Sequence, residues 1–153
     1  MLKTLCGSMD ALTYFDSGFN CAEAVLQALC AFLKDNCKSE YGCIPKIATG
    51  FGGGMKTGSV CGAVSGAVMA LGLQYGRENL HEPQKRDRCS QAVSEFMEQF
   101  KKEHKTILCQ TLLGVDLRTE EGRRIYREAN LKNQCRTYVA TAFEIAQTLL
   151  AAE

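Results

Sequence analysis

Proline is scarce, with two in 153 residues. A chain so poor in proline keeps its backbone N–H donors and avoids the ring clash that breaks helices, so long helices are open to it. An excess of either charge is also lacking. Eighteen Lys and Arg stand against 17 Asp and Glu, a formal net charge of +1. No surplus of positive charge is available for phosphates, so nucleic acid is excluded as an expected partner. No apolar run reaches membrane length. The best candidate, VCGAVSGAVMALGL from Val60 to Leu73, has 14 residues and includes three glycines and a serine, against the roughly 20 residues of a spanning helix. It reads as a buried helix with a small-residue surface, and no membrane insertion is expected. Histidine is limited to His81 and His104, with no carboxylate at ligand spacing, so both read as surface residues. No stretch alternates with period two, which argues against strands. The first residues, MLKTLCGSMDALTYF, lack the basic start, apolar run and small-residue cleavage site of a secretory signal. A cytoplasmic, reducing setting is therefore expected.

What is present is ordinary globular composition, 46% hydrophobic and 23% charged, at the length of one domain spanning 1–153. The apolar spacing is helical nearly throughout. Leu2 to Asp16 reads as a helix stopped by Gly18. Asn20 and Glu23 form a capping box for a second helix, whose face is Cys21, Val25, Leu29 and Phe32 and which runs to about Lys38. The stretch 39–59 is irregular. Pro45 opens a short helix through Ala48, and Gly50-Phe51-Gly52-Gly53-Gly54 reads as a loop. Thr57 or Ser59 is placed to cap a helix from about Val60 to Gln74. Pro83 fits the first turn of the next, whose apolar stripe of Val93, Phe96, Met97 and Phe100 precedes Lys101-Lys102. Thr106 is placed to cap a short helix that ends at Gly114, and Thr119-Glu120-Glu121 opens another. Asn133 is placed to cap the last, with Tyr138, Val139, Ala142, Ile145, Ala146 and Leu149 on its face. The expected fold is all-α, a single-domain bundle of about five or six helices with a Gly-rich loop.

Cysteine is the exception to this plainness. Nine in 153 residues, roughly 6%, is high, yet below the roughly 8–10% of small disulfide scaffolds. In a reducing compartment such cysteines point to metal binding or redox chemistry rather than to permanent cross-links. Cys21, Cys61, Cys109 and Cys135 each fall in the first turn of an expected helix. Unpaired N–H groups and the dipole concentrate positive charge there, which favours a thiolate and lowers its pKa. Cys6, Cys30 and Cys89 fall mid-helix and read as packing residues; Cys37 lies near a helix end and Cys43 in the irregular stretch.

The four helix-start cysteines are 40, 48 and 26 residues apart, with no Cys-x-x-Cys among them, so any pairing has to be made by the fold. Two chemistries stay open for them: thiol–disulfide exchange, or a metal or iron–sulfur site. The missing short knuckles count against zinc. A third possibility is a helical interaction protein whose cysteines only pack. Gly62 and Gly66 share one helix face, with Gly58 upstream and Ala70 downstream, and such a strip lets another helix approach closely. If that helix carries another of the four cysteines, Gly66→Leu should disturb both packing and thiol pairing, and Gly66→Ala should be milder. The Gly50–Gly54 stretch has the backbone to cradle an anion, but it lacks a P-loop ending. Lys56 beside it reads as a solvated lysine able to support an anion or a thiolate.

The chain resembles the C_GCAxxG_C_C family. The resemblance is carried by Asn20-Cys21-Ala22, Gly50 to Gly54, Cys61-Gly62-Ala63-Val64-Ser65-Gly66, Cys109 with Leu112-Leu113-Gly114, and Cys135, over about Phe19 to Val139. The family label writes Gly before its Cys, whereas this chain reads Cys61-Gly62-Ala63. The resemblance implies redox activity, a proposal drawn from those cysteines. It implies Cys21, Cys61, Cys109 and Cys135 as the site, catalytic in the thiol reading and ligands in the metal reading. It names no cofactor, and the redox partner it implies is unknown.

Overall fold

The computed structural model describes residues 10–37 and 45–152. Cys6, Cys43 and most of the expected Leu2–Asp16 helix lie outside them. Seven α-helices are found among the described residues: α1 (Ala11–Asp16), α2 (Cys21–Cys37), α3 (Gly62–Tyr75), α4 (Pro83–His104), α5 (Cys109–Leu113), α6 (Glu120–Glu128) and α7 (Lys132–Ala151). The fold is all-α, as the spacing of apolar residues predicts.

Helix α3 is the centre. Ala63, Val64, Gly66, Ala67, Ala70 and Leu71 are all buried, so it is covered on most sides rather than along one stripe. It packs against α2, α4 and α7, and α2 packs in turn against α1 and α7. The core between them holds Val25, Leu26, Leu29, Leu33, Phe96, Phe100 and Val139, none more than 2% exposed. The Tyr75 hydroxyl donates to the Leu149 carbonyl at 2.8 Å, tying the end of α3 to the end of α7.

Several helix starts follow the sequence reading. The Asn20 side chain accepts from the N–H groups of Ala22 and Glu23, and the Glu23 carboxylate accepts from the Asn20 N–H at 2.8 Å, completing the capping box. Pro83 opens α4, and the Thr119 hydroxyl oxygen accepts from the Gly122 N–H at the start of α6. Others do not. Neither Thr57 nor Ser59 caps α3, because the chain before it is engaged in backbone pairing; the helix begins at Gly62 with Cys61 in the cap position. Asn133 lies inside the first turn of α7, its N–H bonded to the Asn130 carbonyl, and Leu131 takes the cap position. The Thr106 hydroxyl accepts from Leu108, one residue short of the helix that starts at Cys109.

The Gly-rich stretch is not an open loop. A 3-10 helix over Pro45–Phe51 is followed by a π-type turn over Gly54–Gly58. Gly53, Gly54, Met55 and Lys56 all have positive φ, between 55° and 66°. For Met55 and Lys56 this left-handed backbone is costly, since Cβ crowds the following carbonyl.

Candidate functional site

Four helix starts meet at one place. Cys21 is the first residue of α2, Cys61 caps α3, Cys109 is the first residue of α5, and Cys135 lies in the first turn of α7. All four line a single cavity of about 210 Å³, bordered also by Phe19, Gly53, Tyr126 and Lys132. Cys61, Cys109 and Cys135 are buried and Cys21 is half-buried; all four are free thiols. Cys30 and Cys89 sit mid-helix, as expected, and border no part of this cavity. Cys37 ends α2.

Two local devices bring the helix starts together. The first is the glycine strip. A Cβ built on Gly62 would lie 3.1 Å from the Ala22 nitrogen and 3.3 Å from the Cys21 Cβ; one built on Gly66 would lie 2.6 Å from the Ala22 carbonyl oxygen. The lack of a Cβ at Gly66 lets α3 lie directly on the first turn of α2, and at Gly62 it relieves a tight contact beside Cys21. Gly58 serves a neighbouring contact, where a Cβ would lie 2.8 Å from Gln110 Cβ, next to Cys109. The second device is an isolated antiparallel bridge between Val60 and Leu108. The Cys61 N–H donates to the Ile107 carbonyl and the Cys109 N–H to the Ser59 carbonyl, both at 2.7 Å. Side chains alternate along such a pair, so Cys61 and Cys109 leave it on the same side. The bridge escaped the sequence reading because a single pair has no period to detect.

The thiols differ sharply in their surroundings. Hydrogen bonds from the Cys21 thiol and the Tyr126 hydroxyl, the latter at 3.7 Å, bring the Cys135 thiol down to about 7. Cys21 is pushed well up, first by donating that bond, then by burial and by the charge on Cys135. Burial pushes Cys61 up to about 11, although the N–H groups of Ala63 and Val64 act in the opposite direction. Burial, with the neighbouring Cys61 and Cys135, pushes Cys109 up to about 12. The one thiol of the four that is lowered owes it first to side-chain hydrogen bonds rather than to its place at a helix start. At the other three the helix-start expectation fails: Cys21 is raised first by the bond it donates, and Cys61 and Cys109 first by desolvation.

Tyr126 is the residue that sequence reasoning missed. Helix α6 carries Glu120, Glu121, Arg123, Arg124, Arg127 and Glu128, and Ile125-Tyr126 are its only large apolar pair. That contrast was the available signal for a face turned to the body of the protein. Lys132, at the cavity rim with its ammonium 5.3 Å from the centre of the Phe15 ring, was missed as well. His104 is not a surface residue. It is half-buried between Phe100 and Tyr138, and its Nε2 lies 3.0 Å from the Thr141 hydroxyl. His81 is exposed, as expected. Glu23 serves as a cap and accepts a second bond, from the Thr49 hydroxyl at 2.6 Å.

Among the described residues, no three His, Cys, Asp or Glu side chains are placed to hold one metal ion. None of the described helices is long and apolar enough to cross a membrane. Searches of curated proteins and of solved structures find no match to this chain. A family model does match, over residues 19–149, ten residues further into α7 than the motif resemblance reaches. That span takes in all four helix-start cysteines and nearly the whole chain, and the protein belongs to the family described as "putative redox-active protein (C_GCAxxG_C_C)".

Proposed function

We propose that the protein carries out thiol–disulfide exchange, with Cys135 as the attacking thiolate and Cys21 as the resolving thiol. The observation that carries this reading is the meeting of Cys21 and Cys135 in one cavity, with the Tyr126 hydroxyl donating to the Cys135 sulfur at 3.7 Å. A sulfur held near neutral pKa is the most effective attacking thiol at physiological pH. In the forward step the Cys135 thiolate attacks one sulfur of a small organic disulfide, forming a mixed disulfide and releasing a thiolate. Negative charge then leaves Cys135, and with it one cause of the raised pKa of Cys21. Cys21 gives its proton to the departing thiolate and attacks the Cys135 sulfur. The second substrate thiolate leaves and is protonated by solvent. The protein dithiol has lost two electrons and the substrate disulfide has gained them. Cys61 and Cys109, kept protonated by burial beside this pair, would form a reserve dithiol in the same cavity.

Reduced protein prepared without oxygen, treated with 2-hydroxyethyl disulfide and mapped by mass spectrometry, tests the assignment. A Cys21–Cys135 linkage is expected, together with a trapped mixed disulfide at Cys135 in Cys21→Ser. A first linkage that excludes Cys135 would overturn it. Stoichiometric metal or a cluster in the same preparation, with the four thiols unreactive, would return the site to the ligand reading of Cys21, Cys61, Cys109 and Cys135.

A further inference from the structure

The thiol cavity adjoins a second cavity, of about 590 Å³. The two share Gly53, Leu117 and Tyr126. The remaining wall of the second is Lys56, Arg118, Arg123 and Arg127, with no acidic residue. In a chain whose net charge is only +1, this is a marked local asymmetry.

The cations are not equally engaged. Arg118 is held by the Asp116 carboxylate, with Nη2 2.7 Å from Oδ2. Arg123 spends one nitrogen, Nη1, on the carbonyls of Leu117 and Arg118, which leaves donors on its other nitrogens. Lys56 and Arg127 have no ion-pair partner among the described residues. Arg124, on the same helix but outside this cavity, is held by both Glu121 and Glu128. Neutralised charge on α6 is therefore found off the groove, and charge without a counter-ion faces it. Lys56 reaches its place through the left-handed backbone of Gly53 to Lys56. Such strain persists where the surroundings impose it, and it concentrates at ligand sites. Tyr126 joins the two cavities: it borders both, and its hydroxyl reaches the Cys135 sulfur.

We propose that this basic groove takes the anionic end of the substrate, a small disulfide bearing a carboxylate, while its sulfur enters the thiol cavity. The inference rests on the thiol–disulfide reading above and adds the substrate's charge to it. Lys56 and Arg127 supply the uncompensated positive charge, and Arg123 supplies spare planar donors suited to a carboxylate.

The test compares two disulfides on the reduced, full-length chain at low ionic strength. One is 3,3′-dithiodipropionate, with a carboxylate at each end; the other is neutral 2-hydroxyethyl disulfide. Each rate of Cys135 oxidation is divided by that disulfide's rate with a free thiol in solution. A normalised preference of at least about tenfold for the dicarboxylate is expected, in the range that electrostatic focusing supplies. It should fall toward one at high salt and in Lys56→Gln/Arg127→Gln. Equal normalised rates in the parent, or a preference that survives in the double variant, would overturn the groove assignment while leaving the thiol chemistry standing. Failure of both disulfides to react would overturn the thiol–disulfide reading, and the groove's role with it.

Discussion

Gly66 lies against Ala22 so closely that a Cβ on the glycine would come within 2.6 Å of the Ala22 carbonyl oxygen. The neighbour is backbone in the first turn of α2, so it cannot swing aside as a side chain would. Gly66→Leu should cost about 1–3 kcal/mol or more from overpacking. Gly66→Ala should also destabilise, despite alanine's better helix propensity, because its methyl group alone already meets that carbonyl. Thermal unfolding midpoints of both variants check this. Thiol mapping on the same samples should show less Cys21–Cys135 linkage in Gly66→Leu, since the displaced turn carries Cys21.

Cys135 should be the first of the four to alkylate. Its iodoacetamide reaction should rise with pH around a midpoint near 7, while Cys61 stays unreactive to about 11. Tyr126→Phe removes one donor to the thiolate and should move the Cys135 midpoint up, toward the reference value of 9.0. Site-resolved mass spectrometry against pH reads both effects. An unmoved midpoint in Tyr126→Phe would assign the depression to Cys21 and the Cys135 backbone N–H.

Stability should bend in opposite directions on the two sides of pH 9. Cys135 titrates near 7 in the fold against a reference of 9.0, so its contribution is complete above 9.0 and fades as pH falls through 7. Cys61 and Cys109 titrate near 11 and 12. Their contribution is intact below the reference value and is lost as pH rises through those higher values. Chemical unfolding of parent and Cys61→Ser/Cys109→Ser across pH 9 to 12 should show a steeper alkaline loss in the parent.

Asn20→Ala should cost about 1–2 kcal/mol, since one side chain caps α2 and also donates to the Thr49 carbonyl at 3.0 Å. Asn20→Asp keeps the cap acceptor and loses only the amide donor, so it should fall between the two. Denaturant midpoints at unchanged slope would confirm that stability, rather than compactness, has changed.

The sequence made the helices legible wherever a periodic face or a local cap announced them. Asn20 with Glu23, Pro83 and Thr119 each act over three or four residues, and each is found as read. The grouping of Cys21, Cys61, Cys109 and Cys135 was also legible, through helix-start placement and the shared motif. Their electrostatic inequality was not. It depends on which thiol faces Cys21 and Tyr126, and that is decided by α7 packing on α2 and by Tyr126 of α6 reaching Cys135. The start of α3 was misread for a related reason: Ser59 and Cys61 pair with Cys109 and Ile107, nearly fifty residues on, and such a partner leaves no local trace.

The four thiols belong to helix starts spread along most of the sequence, and this gives oxidation a mechanical meaning. A bond between Cys21 and Cys135 would join the first turn of α2 to the first turn of α7 and close a ring containing most of the chain. Closing a ring of roughly 100 residues removes about 4–5 kcal/mol of freedom from the unfolded ensemble in the chain-entropy account. The oxidised protein would then be the harder form to unfold, and reduction would loosen the whole bundle rather than one corner of it. A redox event at a few sulfur atoms would in this way be read out as the lifetime of the entire fold.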